Sequence, residues 1–353
     1  MSASNGELRF RRALPGDRDR AMRLLSKFAD DYLPEVWEQW VHAAPGGIYL
    51  AETGPALVGV VSIHFLRPEE AFLAGMRVDP DCQGQGLGTR FCRFQVQEAF
   101  RLGARVVRLT TAHDNVRVHR MMPKVGFARA GEWIIREMPW PLRSSSFCHQ
   151  TSPVADPADE GAGGVSQGEE AERVVAFLRG RATGLTDLGV PLISPPGDVW
   201  CMRSLDWAEE VGVLELSAGA SGAEDGGLAL ALGVSDTTGA IRGGALVYVG
   251  PNWDGRCTFS VRWLEVDPEW EGDLLELLAR HAWRQGAERF GFSLPLDRAA
   301  VLDRWLDGLW PGRDQPGDGG CQPGDAGCLP PDSSAWREHF YVYEIREPAP
   351  PRL

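Results

Sequence analysis

Six consecutive residues carry the plainest chemistry in the chain: Gln83-Gly84-Gln85-Gly86-Leu87-Gly88, followed by Thr89. They come after an apolar run, Leu73 to Val78, and an Asp79-Pro80 turn, and they lead into a helix-like segment from Thr89 to Phe100. A glycine-rich turn at a helix N-terminus gathers unpaired backbone N–H groups at the positive end of the helix dipole, and that arrangement binds phosphate. Glycine is needed there because a side chain would block a pyrophosphate and because many of the backbone angles are left-handed. The turn lacks the Lys-Ser/Thr of a P-loop, and its glycines are not spaced as in Gly-x-Gly-x-x-Gly. An ordinary strand-to-helix turn is the plain alternative for these six residues taken alone.

The elements that must position this turn alternate between strand and helix patterns. Leu8 to Ala13 reads as a strand, Asp17 to Ala29 as a helix, and Glu35 to His42 as a short helix carrying Trp37 and Trp40. Gly47 to Glu52 and Leu57 to Phe65 form a hairpin around Thr53-Gly54-Pro55, and Phe72 to Val78 is the central strand. Arg105 to Thr111 is a strand, Asn115 to Lys124 a helix ended by Gly126-Phe127, and Gly131 to Met138 a strand. Pro141 to about Gly168 is a Ser-, Pro-, Ala- and Gly-rich linker. Beyond it Glu169 to Leu178 reads as a helix, the chain is globular again from Asp198 with Trp200 and Trp207, and Gly308 to Asp332 is a loop. Trp336 to Arg346 closes the chain as a strand, the counterpart of Gly131 to Met138.

Composition narrows the function. A chain of 353 residues with 43% hydrophobic residues has room for two domains. A formal charge of −13 argues against a nucleic-acid surface and leaves room for an amine substrate. Met1 to Glu7 has no apolar leader, and no run approaches the ~18 residues of a membrane span, so no membrane partner is expected. The 7 cysteines (Cys82, Cys92, Cys148, Cys201, Cys257, Cys321 and Cys328) are scattered without Cys-x-x-Cys, which reads as reduced thiols in a cytoplasmic protein and implies no metal.

The apolar strand, Val78-Asp79-Pro80 and the Gln/Arg-x-x-Gly-x-Gly/Ala loop together resemble the GNAT superfamily of acetyl-CoA-dependent N-acetyltransferases. The element order over residues 7 to 140 and the pairing of Asn115 with Gly126-Phe127 are similar to that family as well. The resemblance implies an α/β fold whose mixed, mostly antiparallel sheet is flanked by helices, with acetyl-CoA as co-substrate. It implies that Met76, Arg77 and Val78 pair with the pantetheine arm and that Gln83 to Thr89 hold the pyrophosphate. The Met76 N–H would polarise the thioester, eased by a bulge at Gly75, and Asn115 would lie near the cofactor.

For the base the resemblance points to a Glu at the central strand, and Glu70 is preferred over Glu69; His64 is a second option, and a solvated turn carboxylate the plain alternative. The family often places an acid Tyr seven residues after the Asn; that position is Met122 here, and either His119, one turn earlier, or solvent would protonate the thiolate instead. The acceptor site would involve the first two helices, with Tyr32, from the run Asp30-Asp31-Tyr32-Leu33-Pro34, and Trp37 as substrate-binding residues; a helix break and core tryptophans are the plain alternatives. Short words between about residues 30 and 110 are also similar to histidine N-acetyltransferase-like proteins.

The second half repeats the first in fainter form. Arg77-Val78-Asp79-Pro80 is echoed by Glu265-Val266-Asp267-Pro268, and Ala99-Phe100-Arg101-Leu102-Gly103-Ala104-Arg105 by Ala282-Trp283-Arg284-Gln285-Gly286-Ala287-Glu288. Between these landmarks Asp81 to Gly88 shrinks to Glu269-Trp270-Glu271, so the phosphate loop is gone. The expectation is therefore a tandem protein: a catalytic domain at 1–140, a linker at 141–168, and a degenerate GNAT-like domain at 169–353. It would act, as a monomer or homodimer, on a primary amine of a small molecule or peptide; the alternative is a non-catalytic acyl-CoA sensor or interaction protein.

Overall fold

The computed structural model describes residues 7–29, 31–140, 167–182, 192–193, 202–205, 228–251, 255–309 and 336–348. Asp30, most of the expected linker, Trp200, Trp207 and nearly all of the loop from Gly308 lie outside the described residues. The first half runs β1 (Leu8–Arg12), α1 (Arg18–Leu25), α2 (Leu33–His42), β2 (Gly46–Thr53), β3 (Ala56–Arg67), β4 (Glu70–Val78), α3 (Leu87–Arg101), β5 (Val106–Ala112), α4 (Val116–Val125) and β6 (Ala128–Pro139). Its punctuation is chemical. Pro34 opens α2, where a missing N–H costs nothing, and Gly126 at φ 108 closes α4 in the left-handed conformation that a C-cap requires.

The second half runs α5 (Gln167–Arg181), β7 (Leu192–Ile193), β8 (Arg203–Ser204), β9 (Leu228–Ser235), β10 (Ile241–Pro251), β11 (Cys257–Val266), α6 (Glu271–Arg284), β12 (Arg289–Pro295), α7 (Leu296–Leu309) and β13 (Trp336–Arg346). The sequence echo is matched in backbone bonding. Ala104 N donates to Ala99 O at 3.0 Å, and Ala287 N donates to Ala282 O at 3.0 Å. Asp79 N donates to Val58 O at 2.9 Å, and Asp267 N to Arg242 O at 2.8 Å. β4 and β5 are parallel and joined through α3, and β11 and β12 are parallel and joined through α6.

All but β7 and β8 form one 11-stranded sheet, in the order β1-β2-β3-β4-β5-β13-β6-β12-β11-β10-β9. Apart from the two parallel pairs, its neighbours are antiparallel, so the sheet is mixed and mostly antiparallel, as expected. The sheets expected of the two halves are joined into one. β13 is inserted between β5 and β6 of the first half, while β6 pairs with β12 of the second. Each half lends its last strand to the other, which leaves neither β5 nor β12 with an open edge. On one face α3 and α4 cover β2 to β5, with Phe91, Val96, Val107 and Met122 in the core; α1 and α2 cover the other face around Leu25, Leu33 and Trp37. No described helix is long and apolar enough to cross a membrane.

Candidate functional site

β4 and β5 are paired only from Glu70↔Val106 to Phe72↔Arg108, yet β4 runs on to Val78 and β5 to Ala112. A wedge therefore opens between them beyond Phe72. At its mouth the turn from Gln83 to Gly86 is exposed, with Gly84 at φ +79 and Gly86, the N-cap of α3, at φ +74. A Cβ built on either glycine would meet nothing within 4 Å. The space in front of this turn is thus open to a ligand, and the left-handed angles exclude most side chains. The first turn of α3 has no acidic residue, whereas that of α6 carries Glu271 and Asp273. An anion is therefore favoured at the first helix and repelled at the second. Lys27 fixes the start of the turn through Asp79 at 2.8 Å and Asp81 at 2.8 Å.

A bulge lies where the wedge begins. Val60 pairs with Arg77 and Ser62 with Ala74, so Gly75 and Met76 face the single residue Val61 across the ladder. Such a bulge leaves a backbone amide without its ladder partner. Gly75 is required, since its φ is +61 and a Cβ would stand 2.8 Å from Leu33 Cδ2. Gln95, almost fully buried on α3, donates from Nε2 to the Ser62 carbonyl at 2.8 Å and holds β3 in place beneath the bulge.

Met76 and Val78 pack toward α3 and α4. Arg77 points to the opposite face, where Nε and Nη2 donate to Asp31 at 2.9 and 3.0 Å and the guanidinium lies 5.3 Å from the Tyr32 ring centre. Its backbone, not its side chain, borders the wedge. Leu87, Gly88 and Thr89 form the first turn of α3, with Leu87 buried. Asn115 caps α4, its Oδ1 accepting from Val118 N at 3.3 Å.

Two assignments need correction. Glu70 sits at the closed end of the wedge, its Oε2 accepting from Arg108 Nη1 at 2.7 Å and Ser204 N at 2.8 Å. Burial alone would raise its pKa, but Arg108 and Ser204 outweigh burial and the net shift is downward. A carboxylate so held is a weak base. Trp37 is 0% exposed, in the core beneath α2, and no substrate reaches it. Trp40, one turn on, is only half-buried: its ring stands 5.8 Å from Tyr32 and 4.0 Å from His64, whose Nε2 is 3.0 Å from Ser62 Oγ.

His119 has a partner that no local pattern announces. Its Nε2 lies 2.9 Å from the His113 carbonyl and its Nδ1 2.9 Å from the Tyr343 hydroxyl. A carbonyl only accepts, so Nε2 carries the hydrogen and, in the neutral ring, Nδ1 accepts from Tyr343. Tyr343 comes from β13 and packs in the same core as Met122, which is 0% exposed. β13 also carries Glu338, a half-buried carboxylate. Burial, then the nearby Asp114, pushes its carboxyl up to about 7. Among the described residues three cysteines, Cys82, Cys92 and Cys257, are free thiols, and no group of three His, Cys, Asp or Glu side chains is placed to hold a metal ion.

With this geometry in view, residues 18–127 match the acetyltransferase (GNAT) family. An acetyltransferase from Bacillus subtilis in complex with CoA is 23% identical over 36% of this chain and 80% of its own, with a TM-score of 0.31. A candidate acetyltransferase from Thermoplasma acidophilum is 16% identical over 96% of this chain and 99% of its own, at a TM-score of 0.47. The ribosomal-protein-S18-alanine N-acetyltransferase of Escherichia coli is 17% identical over 39% of this chain and 86% of its own, at 0.33. No curated protein matches, so the similarity to histidine N-acetyltransferase-like proteins gains no support.

Proposed function

We propose, from the premise that residues 18–127 form a domain of the acetyltransferase (GNAT) family, that the chain moves an acetyl group from acetyl-CoA to a primary amine of a small molecule or peptide. The observation that carries this is the open glycine turn at the N-terminus of α3, set at the mouth of the β4–β5 wedge. Acetyl-CoA fits these residues: Gly84 to Thr89 would take the pyrophosphate on backbone N–H groups, and the backbone of Met76 to Val78 would flank the pantetheine arm. The bulge at Gly75 and Met76 offers an amide to the thioester oxygen as negative charge develops there. Tyr32 and Trp40, on the opposite face, would border the acceptor.

The reaction needs a neutral amine, a route for its proton and a proton for the departing sulfur. His119 and Tyr343 together would supply that last proton in place of the Tyr absent at position 122. Once His119 is protonated, its Nδ1–H donates to the Tyr343 oxygen, which releases the phenol proton toward the sulfur. Met122 favours a second reading, a non-catalytic acyl-CoA sensor.

Free-thiol release from acetyl-CoA against a panel of amino acids, polyamines and peptides separates the two. Turnover on one amine class that vanishes in Gly86→Glu is the expected result. Tight acetyl-CoA binding without turnover on any amine supports the sensor and removes the enzyme.

A further inference from the structure

β13 enters the first half from far along the chain, and its alternation divides its side chains between the two faces of the sheet. Tyr341, Tyr343 and Ile345 pack on the α3–α4 side. Phe340 and Val342 pack on the other face, with Trp133 and Ile135. Glu338 pairs with Ile135 across the ladder and shares that second face. Ser62, Trp40 and Tyr32 stand on the same side of the sheet, where the proposed acceptor would lie. β5 ends at Ala112 opposite Phe340, so Glu338 stands just past the end of β5, beside the turn that holds His113 and Asp114.

No described residue gives Glu338 a hydrogen bond or an ion pair. Half-buried carboxylates ordinarily have a partner. Its chain neighbours are turned away: Arg337 binds Asp303 at 2.9 Å, and His339 lies 3.3 Å from Glu132 and stacks on His113 at 4.8 Å. Asp114, a like charge, is the group whose field bears on it. A carboxylate in this position favours whatever brings it a proton.

We propose that Glu338 is the general base of the transfer, taking the acceptor's proton directly or through one water. The inference rests on the acetyltransferase reading above. As the C–N bond forms and the C–S bond breaks, the proton lost by the amine passes to the Glu338 carboxylate, and the sulfur takes its proton from the Tyr343–His119 pair. Burial and Asp114 hold the Glu338 carboxyl at about 7, where a base is both largely ionised above neutrality and strong enough to act. Glu70, shifted the other way, lacks that strength. One residue for each half of the proton chemistry, Glu338 and Tyr343, thus comes from a single strand of the second half.

The test uses the full chain and the amine that the panel identifies. Expected for Glu338→Gln is a fall in kcat/KM of about 100-fold at pH 8, loss of the acid limb of the pH profile, and an acetyl-CoA Kd within twofold of the original. Asp114→Asn removes a like charge, so the acid limb of an otherwise active enzyme should move to lower pH. An active chain whose Glu338→Gln variant keeps its rate and its limb, or whose Asp114→Asn variant leaves the limb in place, overturns the proposal. A chain that binds acetyl-CoA and acetylates no amine overturns the acetyltransferase reading itself, and the base with it.

Discussion

Glu70→Gln separates a structural carboxylate from a catalytic one. The wild-type Oε2 accepts two hydrogen bonds, from Arg108 at 2.7 Å and from the Ser204 amide at 2.8 Å, and Arg108 is 1% exposed. Glutamine keeps the shape and one acceptor oxygen but removes the charge. Arg108 retains Glu344 at 2.7 Å, so the guanidinium is not stranded. The expected loss is that of a hydrogen bond to a charged group, about 2 kcal/mol, and not the larger penalty of a buried charge with no partner. At about 2–4 °C per kcal/mol for a chain of a few hundred residues, Tm should fall by about 4–8 °C. The difference should depend on pH in one direction. Because Glu70's pKa is lowered in the folded state, the unfolded chain binds more protons in acid. The stabilisation is present above the ordinary carboxylate range and is lost as pH falls through the lower folded value. The gap in Tm between wild type and variant should therefore close in acid. Initial rates at 20 °C, well below either Tm, should agree within about threefold, since only a group engaged in proton transfer carries the roughly 100-fold term. A variant with unchanged Tm and a rate reduced 100-fold would refute this reasoning and return Glu70 to the role its sequence position suggested.

Tyr343→Phe should lower kcat by about 10- to 100-fold with KM little changed, because the lost hydroxyl serves only the departing sulfur; steady-state kinetics against His119→Ala should show that the two losses do not add. Trp37→Ala empties a fully buried site and should cost about 3–5 kcal/mol in chemical denaturation. Trp40→Ala, at the acceptor face, should instead raise the acceptor KM while its Tm moves less. Deleting residues 336–353 removes the strand between β5 and β6 and exposes the partners of Phe340, Val342 and Tyr343; the remainder should lose cooperative unfolding in calorimetry, and a sharp transition near the wild-type Tm would contradict the strand exchange.

What was legible in the sequence was local. The glycine turn, the helix end at Gly126 and the repeated Val-Asp-Pro landmark are set by backbone angles and by spacing within a few residues, and the structure has each of them. The partner of a strand is different in kind. The pattern in Trp336 to Arg346 tells which side chains share a face, and nothing in it tells whether the neighbouring strand is β12 or β5. Glu70 failed for the same reason, since Arg108 and Ser204 lie 38 and 134 positions away. Trp37 and Trp40 stand one turn apart on one helix, and only the packing of Leu33, Val41 and Ile48 around Trp37 decides which of them is core. Tyr343 could have been suspected from Met122: a chemistry that lacks its usual donor on one element invites a donor from another.

The exchange of β6 and β13 also sets an order of events during synthesis. When Pro139 leaves the ribosome, β5 and β6 have both been made, but the strand that belongs between them lies about two hundred residues further on. At about 5–20 residues per second that interval is roughly 10–40 s. For that time the nascent chain holds two adjoining strand edges without their partner, an invitation to pair with other chains. On the proposed mechanism the glycine turn is made at least that interval before Tyr343, the residue assigned to protonate the departing sulfur.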